Sequence, residues 1–177
     1  ATEDGSDVVA IMVERDDPGV TVTPKQTLGL RSIGLAEVEF TDVELPASRV
    51  LAASDGQSHA QMFVNERRVT LACWSLGRMR SLIELIIDDA VPKERLGRPV
   101  LDFDTFQAGV GRMVLALETA RAATYRSLES AESGRADGSF TGDHLISVGK
   151  YVAVESALTV ADAAQRLSGG HGYFSEF

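Results

Sequence analysis

The sequence predicts an α+β fold in which a short β segment is followed by an up-down helical bundle. Two observations carry this. Apolar residues alternate or cluster in short runs up to about residue 55, then recur at steps of three and four. The second part is also divided by polar, proline- or glycine-containing connections into three long segments, the pattern of helices joined by short loops. Strands followed by helices point to separate β and α domains, 1–55 and 56–177.

The elements follow in order. VVAIMVE, Val8 to Glu14, is a short apolar run closed by the turn signal DDPG at Asp16 to Gly19. VTVT, Val20 to Thr23, leads to Pro24. AEVEF, Ala36 to Phe40, alternates apolar and acidic residues, as a half-buried strand does. DVELP then takes the chain through Pro46 and out of the sheet. So few strands make a sheet too small to stand alone, so residues before Ala1 are expected to complete it.

The first helix is predicted from about Gln57, with Val69, Ala72, Cys73, Leu76, Met79, Ile83, Ile86 and Ile87 as its apolar stripe. Pro92 and Gly97 end it. The second begins near Asp104 or Thr105 and buries Phe106, Val110, Met113, Leu117 and Ala120. ESGRADGS, Glu132 to Ser139, is a polar connection. The third starts at Thr141 to Asp143, good N-cap types. Leu145, Val148 and Val152 line one side of it, and Tyr151, Val154, Leu158 and Ala161 another, which predicts burial over much of its surface.

The 177 residues carry a formal net charge of -9, with 44% apolar and 24% charged residues. This acidic balance argues against nucleic acid as a general partner, because phosphate backbones need a basic face. A small anion is still accommodated where cations cluster, as at Arg67, Arg68, Arg78 and Arg80, or at Lys93, Arg95 and Arg98. Each group reads either as a solvated helix face or as an anion seat. No stretch is long enough to span a membrane and no signal peptide opens the chain, so no membrane partner and a cytoplasmic location are expected. Cys73, the single cysteine, lies in an apolar run and is expected to be a buried small hydrophobe.

Nucleophile elbow, P-loop, zinc spacing and calcium loop are all missing from the sequence. His59, His144 and His171 are far apart, so no metal site is predicted. GGHG, Gly169 to Gly172, does not open a helix after a strand and is not a dinucleotide fingerprint. Glu66, in NERR, is followed by two arginines and reads as a surface ion pair or as a base near an anionic ligand.

Four strings in order carry a resemblance: LGLRSIGLAEVEFTDVELPASRVLA, RRVTLACWSLG, LGRPVLDFDTFQ and RLSGGHGY. Together they resemble the C-terminal half of an acyl-CoA dehydrogenase, over essentially the whole chain. The resemblance implies the end of a partial β-barrel and a helical bundle, incomplete at both ends. It implies FAD as cofactor, an acyl-CoA thioester as substrate and an electron-transferring flavoprotein as electron acceptor. It further implies a homo- or hetero-oligomer in which a neighbouring subunit completes the site. In the family it resembles, a carboxylate removes the α-proton of the thioester while the β-hydride passes to the flavin, which implies a base within reach of that proton.

Residue by residue, the sequence departs from the family. Where members have Arg-x-x-Phe-Gly on the flavin pyrophosphate of a neighbouring subunit, Lys93 and Leu96 occupy the arginine and phenylalanine positions, and Arg95 is an alternative cation. Lysine keeps the charge but loses the planar fork. Asp104 stands where a glutamine is usual, and Gln107 could substitute for it. Arg166 takes the glutamine position of Gln-x-x-Gly-Gly, whose glycines are matched by Gly169 and Gly170. Asn65 and Arg68 match positions that touch the acyl-CoA. The usual base position lies beyond Phe177. A minority of members carry the base on the first bundle helix, where Glu66 is one residue, about 100°, out of register and would serve only if that helix were shifted or bulged.

The expected function is therefore flavin-dependent α,β-dehydrogenation of an acyl-CoA. Two alternatives stay open: a non-catalytic or FAD-poor subunit of a hetero-oligomer, and a dehydrogenase of carrier-protein-bound acyl groups.

Overall fold

The computed structural model describes residues 9–52, 56–137 and 143–174. The chain forms two compact units, Ala1–Met62 and Phe63–Phe177.

In the first unit, β1 (Ala10–Ile11) pairs antiparallel with β4 (Val50–Ala52), and β2 (Val20–Pro24) pairs antiparallel with β3 (Ala36–Phe40). Within the run Val8 to Glu14, the described residues 9–14 give only the two residues of β1, and the sheet resumes after Pro46, where a 3-10 turn at Ala47–Arg49 leads into β4. The DDPG turn is held by Asp17, whose carboxylate accepts from the Glu14 N–H at 2.7 Å and from the Arg49 guanidinium. Gly19 sits at φ 87°, and a Cβ there would lie 2.2 Å from the Thr41 carbonyl oxygen, so only glycine fits.

β2 and β3 pair Val20 with Phe40 and Val22 with Val38, aligning the apolar side chains on one face. The half-buried state expected of β3 is not found. Val38 and Phe40 are 47% and 60% exposed, because among the described residues nothing covers this two-stranded ribbon.

Three long helices follow: α1 (Gly56–Ala90), α2 (Asp104–Asp137) and α3 (Asp143–Leu167). The stripe on α1 buries Ala72, Met79, Ile83 and Ile86, and that on α2 buries Phe106, Met113, Leu117 and Ala120. α2 continues through the polar segment to Asp137, because Gly134 weakens a helix by only about 1 kcal/mol without ending it.

The α2–α3 contact is antiparallel. Gly109 meets Leu167 at one end of it, and Gly149 meets Ser127 and Ala123 towards the other. The buried line of α3 runs through Ile146, Gly149, Ala153, Val160 and Ala164, between the two faces that periodicity suggested. Small residues allow the close approach, while Val148, Tyr151 and Leu158 are exposed on a face that no other described element covers. Cys73 is also exposed, not buried. It follows Ala72 by about 100° around α1 and lines a cleft of about 270 Å³ between α1 and α2.

Candidate functional site

Two stretches distant in sequence meet at one end of the bundle. The first leaves α1 at Ala90. The Lys93 N–H donates to the Ala90 carbonyl at 3.0 Å, and the Val100 N–H to the Lys93 carbonyl at 2.9 Å. Between them β5 (Glu94–Arg95) and β6 (Arg98–Pro99) pair as a minimal hairpin. Its turn residues, Leu96 and Gly97, have φ of 52° and 77°. A two-residue hairpin turn with both φ positive matches the twist of its strands. Glycine adopts it freely, whereas a leucine is strained there. Leu96 is nevertheless 97% exposed, its side chain fully presented to solvent.

The second stretch leaves α3 at Leu167. The Ser168 hydroxyl donates to the Ala164 carbonyl at 2.8 Å, and Gly169, at φ 60°, turns the chain into a 3-10 segment, Gly169–Tyr173. Gln165 donates through Nε2 to the Gly172 carbonyl at 3.2 Å and folds the segment back on α3. A Cβ on Gly172 would lie 2.6 Å from the Gln165 carbonyl oxygen. At Gly169 and Gly170 a Cβ would meet nothing within 4 Å, so their backbone is open to an approaching ligand.

Lys93 joins the two. Its Nζ donates to Asp89 Oδ2 at 2.6 Å and contacts His171 Nδ1 at 3.2 Å, while His171 Nδ1 lies 3.9 Å from Asp89 Oδ1. Asp89 and His171 carried no role in the sequence reading. The signals available were the four-residue step from Asp89 to Lys93 on the end of one helix, and the place of His171 inside the glycine turn.

The remaining cations around this end differ in their engagements. Arg95 is exposed on β5. The Arg98 guanidinium lies 4.0 Å from the Phe103 ring centroid and donates to the Asp102 carbonyl at 2.9 Å. Arg166 donates through Nε to Asp162 at 2.8 Å, and this hydrogen bond together with the carboxylate charge raises the guanidinium further above its ordinary range. Asp104 lies in the first turn of α2, where the helix N-terminus stabilises a carboxylate. Gln107 donates through Nε2 to the Leu101 carbonyl at 3.0 Å, closing the loop before α2.

Asn65, Glu66 and Arg68 lie near the other end of α1. Asn65 is buried and its Oδ1 accepts from Arg68 at 3.1 Å, so the two share a face. Glu66 is exposed, and α1 is continuous α-helix through it. Arg67 lies 4.9 Å from the Phe63 ring centroid. Twenty-odd helical residues at 1.5 Å each put the Asn65–Arg68 group about 35 Å from Lys93, so the two groups do not form one site.

Among the described residues no group of three His, Cys, Asp or Glu side chains could hold a metal ion, and no helix is long and apolar enough to cross a membrane. His59 falls outside the described side chains.

Comparison with known proteins agrees with this architecture. Residues 54–177 match the family model of the acyl-CoA dehydrogenase C-terminal domain. The mitochondrial very long-chain specific acyl-CoA dehydrogenase of Mus musculus is 28% identical over 171 residues, 96% of this chain and 26% of that protein. The mitochondrial 2-methylacyl-CoA dehydrogenase of Solanum tuberosum is 25% identical over 172 residues, 96% of this chain and 40% of that protein. The chain thus spans well under half of these relatives. Butyryl-CoA dehydrogenase from Megasphaera elsdenii has the same fold, with a TM-score of 0.87 at 22% identity, over 100% of this chain and 45% of that one. With the glycine turn, the bundle and the family match together, the chain belongs to the acyl-CoA dehydrogenase family and carries its C-terminal domain.

Proposed function

We propose that the protein catalyses FAD-dependent α,β-dehydrogenation of an acyl-CoA thioester, and that this chain supplies part of its flavin and substrate sites. The observation that carries the reading is the 3.2 Å contact of Lys93 with His171. It joins the two segments that family resemblance ties to the flavin, although they are far apart in sequence.

The residues present suit a pyrophosphate. Two of the three Lys93 N–H donors are engaged by Asp89 and His171, which leaves one for a ligand oxygen. Arg95 adds an exposed cation, and the backbone of Gly169 and Gly170 is open. When bound, FAD supplies the hydride-accepting ring. The residues of this chain bind and orient: Lys93 and Arg95 offset phosphate charge, Gly169 and Gly170 admit the nucleotide close to the backbone, and Asn65 and Arg68 hold the acyl-CoA. The separation of about 35 Å between the two groups supports an oligomer in which each end of α1 serves a different active site. An electron-transferring flavoprotein is the proposed electron acceptor, and the cytoplasm the proposed location.

The test is the visible spectrum of the purified full-length protein, with flavin counted per chain, followed by anaerobic addition of acyl-CoA. One flavin per chain, bleached by acyl-CoA, supports the reading. Bleaching by an acyl-carrier protein alone would move the substrate to the carrier-bound class.

The departures from the family at Lys93, Asp104 and Arg166, the last of them engaged by Asp162 at 2.8 Å, favour a second reading, a non-catalytic or FAD-poor subunit that pairs with an active one. In that case the protein expressed alone carries no flavin and gains it only with its partner subunit.

A further inference from the structure

We infer that His171 is a positioning residue for cofactor binding: it holds the Lys93 ammonium against the glycine turn, so that the cation and the open Gly169–Gly170 backbone form one preformed anion seat. The inference rests on the flavin reading above and goes beyond it by giving a role to a side chain outside the pyrophosphate contacts themselves.

Lysine is the reason positioning is needed. An arginine brings a planar fork that fixes the direction of its donors, whereas a lysine brings a point charge on a four-carbon stem that rotates freely. Unrestrained, that stem would have to be ordered at the moment of binding, which weakens affinity. Here it is ordered beforehand. The backbone on either side of Lys93 is fixed by hydrogen bonds to Ala90 and from Val100. Its ammonium has two further contacts, 2.6 Å to Asp89 on α1 and 3.2 Å to His171 on the turn.

His171 is itself held by a rigid segment. Gly172 beside it is clamped under the Gln165 carbonyl and accepts a hydrogen bond from the Gln165 side chain. The tautomer that accepts from the ammonium is the one with an unprotonated Nδ1 and its proton on Nε2. Asp89 anchors the same ammonium, but its charge would also repel a phosphate. Removing it would release the lysine and relieve repulsion together, so the test is made at His171.

The experiment uses the full-length protein stripped of flavin. FAD dissociation constants are measured by quenching of flavin fluorescence, alongside the melting temperature of the flavin-free protein. His171→Ala is expected to weaken FAD binding about three- to tenfold, the loss of one pre-ordered long side chain, with little change in melting temperature. His171→Asn, whose side-chain oxygen can stand in for Nδ1, is expected to restore affinity to within about twofold of the parent. Lys93→Met is expected to weaken binding at least as much as His171→Ala, and His171→Ala added to Lys93→Met to cost nothing more, because there is no ammonium left to position.

Equal loss from His171→Ala with and without Lys93 would overturn the inference while leaving the flavin reading intact. So would a lowered melting temperature with unchanged affinity, which would make the contact a structural tie between α1 and the turn. Failure of the parent protein to take up FAD at all would overturn both.

Discussion

Glycine 149 offers a test in which one substitution has two opposing consequences. In a helix interior, Gly→Ala stabilises by about 1 kcal/mol through lower backbone entropy in the unfolded chain. At position 149 the new Cβ would lie 2.7 Å from the Ser127 hydroxyl, 2.8 Å from the Ser127 Cβ and 3.0 Å from the Ala123 carbonyl oxygen. The hydroxyl alone could rotate away. The Ser127 Cβ and the Ala123 carbonyl belong to the body of α2 and cannot yield unless the helices part. Ser127 is almost fully buried and its hydroxyl donates to the Thr124 carbonyl at 2.7 Å, so even the rotation loses a hydrogen bond. Overpacking of this kind costs about 1–3 kcal/mol, and contact with two immobile atoms places it in the upper part of that range. The net expectation for Gly149→Ala is a loss of about 1–2 kcal/mol. Gly111 is the control: it lies inside α2, is exposed, and a Cβ there meets nothing within 4 Å. Gly111→Ala is expected to stabilise by about 0.5–1 kcal/mol. Urea unfolding of the two variants and the parent, followed by helical circular dichroism, reads the difference from the shift in midpoint at constant slope. If Gly149→Ala stabilised as much as Gly111→Ala, α2 and α3 would not be in close contact at this position.

Other substitutions probe separate features. Among the described residues the Thr124 hydroxyl is buried without a hydrogen-bond partner. Thr124→Val is therefore expected to raise stability by about 1 kcal/mol, and a loss in thermal or urea unfolding would reveal a partner for that oxygen. Leu96 is strained at φ 52° and nearly fully exposed. Asparagine tolerates this region, so Leu96→Asn is expected to stabilise the hairpin by up to about 1 kcal/mol, with unfolding curves as the check. Gly172→Ala forces the turn off the Gln165 carbonyl. It is expected to reduce flavin content per chain while leaving the α2–α3 bundle folded, readable from absorbance and circular dichroism on one sample. A variant with normal flavin content would show that the turn can move without consequence.

Much of the fold was legible because local rules and tertiary packing agree there. The stripes on α1 and α2 become core because a step of three to four places Met79, Ile83 and Ile86, or Phe106, Met113 and Leu117, on one side of a helix whatever it packs against. Proline and glycine ended α1 in the segment expected. The glycine turn was recognisable, since residues 169 and 170 have few other uses side by side.

Other features depended on what lies opposite. Strand β3 alternates as a buried strand does, yet burial needs a covering element, and alternation cannot say whether one is present. Cys73 and Ala72 are both apolar neighbours on α1, and only the packing of the bundle decides that Ala72 is buried while Cys73 opens onto a cleft. The wide apolar surface of α3 gave two candidate faces; the small residues Gly149 and Ala153 selected a line between them by letting α2 approach. The union of Lys93, Asp89 and His171 is of the same kind. Composition, helix periods and family strings were set by the sequence alone, because they depend on residues a few positions apart. The meeting of two loop ends across the bundle was decided by tertiary structure, because it depends on helix lengths and packing distances that no local pattern encodes.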